Sequence, residues 1–68
     1  MRKEGVQVNY QDEEIRDTGP DGTSYVAAVR GDRGEIISVT DHPMWVDVLF
    51  ERTGAIQTCH LSELRLCD

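Results

Sequence analysis

Between Met44 and Glu51 the chain reads Met-Trp-Val-Asp-Val-Leu-Phe-Glu, and its side chains sort by alternation. Val46, Val48 and Phe50 fall on one side of an extended backbone, and Trp45, Asp47, Leu49 and Glu51 on the other. A period of two is the mark of a half-buried strand. Nowhere is the 3.6-residue period of an amphipathic helix sustained, so the segment predicts an all-β domain and the rest of the chain must be fitted around it.

The remaining segments fit. Val6, Val8 and Tyr10 alternate with Gln7 and Asn9. Tyr25 to Arg30 is apolar, Glu35 to Thr40 is rich in β-branched residues, and Ala55 to His60 makes a further strand. Gly19-Pro20-Asp21-Gly22, Gly31-Asp32, Asp41-His42-Pro43 and Arg52-Thr53-Gly54 punctuate these runs with turn formers. Residues 11–24 are acidic and turn-rich and read as a long early loop. Leu61-Ser62-Glu63-Leu64 suits one 3₁₀ turn, and Arg65-Leu66-Cys67 a short last strand. Ile36, Ile37 and Val39 break simple alternation, which a β-bulge would reconcile.

This order is the plan of a small SH3-like barrel of about five strands, with a long early loop and one 3₁₀ turn near the C-terminus. Closure or shortening of edges protects a short all-β chain from edge pairing. An open five-stranded sheet that dimerises through one face is the alternative. At 68 residues the chain is one domain, 1–68, with residues 1–4 expected as a ragged, disordered end.

The net charge of −6 at pH 7 is spread along the chain, and its seven bases are scattered. A nucleic-acid partner is therefore disfavoured, because phosphate neutralisation supplies most of such affinity. No apolar run is long enough for a membrane helix, and no charged segment precedes an apolar one at the start. A cytoplasmic protein with reduced Cys59 and Cys67 is the expectation.

Two frames carry a resemblance. Gly31-Asp32-x-Gly34-x-Ile36, the valine-rich strand ending in Phe50, the glycine turn and Glu63-Leu64 resemble the SH3-like frame of KOW-type modules and electron-transport accessory barrels. Asp21-Gly22-Thr23, Gly31-Asp32-Arg33-Gly34, Val48-Leu49-Phe50, and Cys59 followed by Glu63-Leu64 look like the nitrogenase-accessory Z family. That likeness implies a helper in metallocluster enzyme maturation, although the chain departs from it around Tyr25–Arg30. Gly54-Ala55-Ile56-Gln57 is similar to a segment of the type II dihydrofolate reductases. There the family continues with isoleucine and a functional tyrosine, where this chain has Thr58 and Cys59.

The chemistry-bearing residues do not form a catalytic set. Cys59 and His60 are adjacent, so on a strand they face opposite ways and cannot easily serve one metal ion. Cys59 reads as a small core residue and His60 as a surface one. Asp12, Glu13, Glu14, Asp17 and Asp21 lack the spacing of an EF-hand and read as a solvated loop. No catalytic residue, metal or cofactor is expected. The residues that suggest a role are Trp45 and Leu49, opposite the core face of their strand, with Tyr10 and Tyr25 and the acids Asp17 and Asp21. They predict a non-enzymatic module that docks a protein partner or a second copy through an acidic loop and an aromatic surface. The alternatives are an oligomeric barrel with a ligand or enzymatic pore around Ile56 and Gln57, and an acidic mimic of DNA.

Overall fold

The computed structural model describes residues 5–67, and within them the protein is all-β. Its strands are β1 (Gln7–Tyr10), β2 (Ile15–Thr18), β3 (Ser24–Ala28), β4 (Arg33–Val39), β5 (Trp45–Phe50), β6 (Ile56–His60) and β7 (Leu64–Leu66). A single 3₁₀ turn, Leu61–Glu63, joins β6 to β7. The expectation for residues 1–4 lies outside the described residues.

Five strands form an antiparallel sheet in the order β6-β5-β4-β1-β7, and β2 and β3 form a separate two-stranded ribbon. Seven described strands thus replace the expected five or so. No ladder joins β6 to β7 among the described residues, so hydrogen bonds do not close the sheet.

The early loop is corrected: residues 15–18 inside it are β2. Gly22 N–H bonds to the Gly19 carbonyl at 2.9 Å, and Gly22 takes a φ of 83° that other residues rarely adopt. The turn folds the segment back, pairing Arg16 with Val26, Asp17 with Tyr25 and Thr18 with Ser24. The acids do not oppose this, because they lie exposed.

The bulge expected in β4 is present. Register shifts between Ile36 and Ser38, which leaves Ile36 paired with Val48 and Ser38 with Asp47. Ile36 is thereby buried, as are Val8, Ala28, Val46, Val48, Phe50 and Cys59. Tyr10 belongs to the same core, at 2 % exposure. This corrects its expected place on a partner-binding surface. It shares its side of β1 with Val8, its ring meets Phe50 edge-on at 5.8 Å, and its hydroxyl donates to the Glu13 carbonyl at 2.7 Å. Burial above all, with nearby acids adding, pushes its pKa up to about 12.

At Gly34, β4 presses close on β5. A Cβ there would stand 2.6 Å from Val48 Cγ1 and 3.0 Å from the Leu49 carbonyl oxygen. Three side-chain bridges draw the other segments in. Thr53 Oγ1 donates to the Ala27 carbonyl at 2.7 Å, and Gln57 Nε2 donates to Asp17 at 2.6 Å. Arg52 grips Asp32 with Nε and Nη2, at 3.0 and 2.8 Å.

Candidate functional site

Side-chain alternation in β5 leaves one face of the β4-β5-β6 portion turned away from the core. Trp45, Asp47 and Leu49 project there, opposite His60, Thr58 and Ile56 of β6. The apolar members stay accessible: Trp45 is 38 % exposed, Leu49 36 % and Ile56 57 %. On β4, Glu35 stands opposite Leu49 and Ser38 opposite Asp47.

This face is ordered by its own bonds. The Trp45 ring meets the His60 ring edge-on, 5.0 Å between centroids. His60 in turn caps the 3₁₀ turn: its Nδ1 accepts from Ser62 N–H at 3.1 Å, while Glu63 accepts from His60 N–H at 2.7 Å. Asp47 accepts from the hydroxyls of Thr58 and Ser38, each at 2.7 Å. Those two bonds, Thr58 first, hold its carboxyl below the usual carboxylate range. A fixed negative charge therefore sits between the Trp45–His60 and Leu49–Ile56 pairs. Beside Leu49 a shallow depression of about 150 Å³ is lined by Gln7, Glu35, Leu49, Phe50, Glu51 and Gly54. Two carboxylates thus flank an apolar floor.

The expected site residues fall into two groups. Trp45 and Leu49 share the sheet face. Asp17, Asp21 and Tyr25 are exposed on the β2-β3 ribbon, where Tyr25 faces Asp17 across the pair. Asp17 bonds to Gln57, which alternates with Ile56 and Thr58 and so points to the other side of β6. The acidic segment and the tryptophan face are therefore on opposite sides of that strand and are not one surface. Asp21 accepts from Thr23 N–H at 3.0 Å and holds the turn. Its carboxyl, like that of Asp17, is lowered chiefly by a backbone N–H.

Ile56 was expected only in the alternative pore, and His60, Glu35 and Asp47 were not among the expected docking residues. Ile56 and His60 reach the face through the register that the Arg52–Gly54 connection sets. Alternation already placed Asp47 there.

Cys59 is fully buried, and burial pushes its thiol up to about 12, with Glu63 and Asp47 adding. It is a packing residue turned away from His60. Cys67 is a half-buried free thiol. His60 is half-buried as well, a cap and ring partner more than a solvated side chain. Among the described residues no three metal-ligating side chains converge, and no helix is long and apolar enough to cross a membrane.

Comparison with protein-family models, with curated proteins and with solved structures finds no match to this chain.

Proposed function

We propose that this protein is a non-enzymatic interaction module, SH3-like in strand order, whose docking surface is the exposed face of β5 and β6. The observation that supports this is the gathering of Trp45, Leu49 and Ile56 on one sheet face around the ionised Asp47. A tryptophan in an accessible apolar patch suits a binding anchor.

Charge selects the occupant. Glu35, Asp47 and Glu51 lie on this side of the sheet, and the whole chain carries −6. Arg33 is the cross-strand neighbour of Glu51, yet the two ion pairs among the described residues are Arg16–Glu14 and Arg52–Asp32. The matching partner is a protein segment with apolar residues flanked by lysine or arginine. Its apolar side chains would cover Trp45 and Ile56, and a basic side chain would lay its stem on Leu49 with its head between Glu35 and Glu51.

A displayed peptide library selected on the wild-type protein, and counter-selected on a Trp45→Ser, Leu49→Ser double variant, tests this. The expected winners carry basic and apolar residues together, bind more weakly as salt rises, and shift the Trp45 emission to the blue. Winners of acidic composition, or winners that bind the double variant equally well, would remove the proposal.

A further inference from the structure

The ladder between β5 and β6 shows which backbone groups of β6 are spent. Phe50 N–H bonds to the Ala55 carbonyl at 2.9 Å, and Leu61 N–H to the Met44 carbonyl at 2.8 Å. Antiparallel ladders alternate bonded and non-bonded pairs, so Ala55, Gln57, Cys59 and Leu61 turn their backbone groups toward β5. Ile56, Thr58 and His60 turn theirs outward. Glu63 takes the His60 N–H at 2.7 Å. Among the described residues, Ile56 and Thr58 are left presenting two N–H and two carbonyl groups at the edge of the five-stranded sheet.

Edges of this kind are usually blunted by a charge, a proline or a bulge. Residues 55–60 read Ala-Ile-Gln-Thr-Cys-His and hold no Asp, Glu, Lys, Arg or Pro. In β6 the register with β5 is unbroken.

We infer that this edge pairs with the same edge of a second copy. Two β6 strands laid antiparallel about a two-fold axis at Gln57 place Ile56 of each opposite Thr58 of the other. Both outward residues are then satisfied on both chains, with four main-chain hydrogen bonds, and no like charges meet within the ladder. Such a contact is isologous and closed. It is also small, so the dimer is weak and concentration-dependent. Its consequence is a sheet continuous across two molecules, with two Trp45–Leu49–Ile56 faces on one side. A partner carrying two docking segments would gain avidity from that pair. Asp17, bonded to Gln57, brings a carboxylate from each copy toward the axis. High salt and Asp17→Asn therefore strengthen the dimer.

Sedimentation equilibrium over a concentration series tests this, with proline as the probe. The N–H groups of Ile56 and Thr58 are unused in the single molecule, so proline is tolerated there as it is at other strand edges. Thr58→Pro and Ile56→Pro are each expected to weaken dimerisation by more than about tenfold. Thr58→Val, which loses the same hydroxyl bond to Asp47 but keeps the N–H, is expected to dimerise as wild type does. Two variant positions keep the test usable if one substitution unfolds the domain. A protein that stays monomeric throughout the series, or a dimer that the folded proline variants leave intact, would overturn the inference. Peptide binding to the Trp45 face is read separately on the wild-type protein, diluted until it is monomeric, so failure of the edge contact and failure of the docking surface are distinguishable.

Discussion

Gly34 decides how closely the sheet can fold on itself. Its missing Cβ is the space that Val48 and the Leu49 carbonyl occupy, and both are held by the core and the ladder. Gly34→Ala is therefore expected to cost about 1–3 kcal/mol, seen as a lower urea midpoint with unchanged m-value. An unchanged midpoint would mean that β4 and β5 can separate by several tenths of an ångström without loss. At this scale the sequence was partly legible. The alternation from Met44 to Glu51 sorted Val46, Val48 and Phe50 from Trp45 and Leu49 as the fold does. Tyr10 lies in the core and not on the surface its aromatic character suggests, because it shares its side of β1 with Val8. Cys59 was legible as a packing residue, since a small apolar thiol beside β-branched neighbours in a strand suits a core.

Among the elements, β2 shows what alternation cannot reveal. Only Ile15 of its four residues is not exposed, so no apolar pattern marks it. Its pairing is imposed from outside, by the Gly19–Gly22 turn and by β3. Substituting Gly22, whose φ is 83°, should therefore loosen the ribbon. Gly22→Ala is expected to cost about 1 kcal/mol and to speed hydrogen exchange at the Gly19 amide, which bonds to the Thr23 carbonyl across the same turn. Because the ribbon meets β6 on the side away from Trp45, the emission of Trp45 should not move; a shift would place ribbon and Trp45 face in one unit. The β4 bulge, by contrast, was legible, since Ile36, Ile37 and Val39 cannot all obey one alternation. The placement of Ile56 and His60 was not, because it depends on how the Arg52–Gly54 connection sets register, and a turn sequence leaves more than one register open.

For the whole molecule, the core carries two acidic protons that it holds more tightly than the unfolded chain does. Tyr10 is raised from 10.0 to about 12 and Cys59 from 9.0 to about 12, burial being the leading cause in each. Unfolding releases both groups to ordinary values. The stability they confer is thus complete below pH 9, and it is lost as pH rises toward about 12. Urea midpoints should fall steadily in that range, and Cys59 should resist a thiol reagent that modifies Cys67. Rapid labelling of both thiols in the folded protein would contradict the burial of Cys59. On the acid side Asp32, Asp47, Asp17 and Asp21 are all lowered, so stability falls as pH drops below the usual carboxylate range.

The proposed docking face has a built-in reporter, because Trp45 is the single tryptophan of the chain. The most direct test is acrylamide quenching of its fluorescence in the folded monomer, repeated with a saturating basic, apolar peptide from the selection. Red-shifted, readily quenched emission is expected alone, and blue-shifted, protected emission in the complex. Emission that is already blue and unquenchable in the free monomer would mean that the face is covered from within, and that the partner surface lies elsewhere.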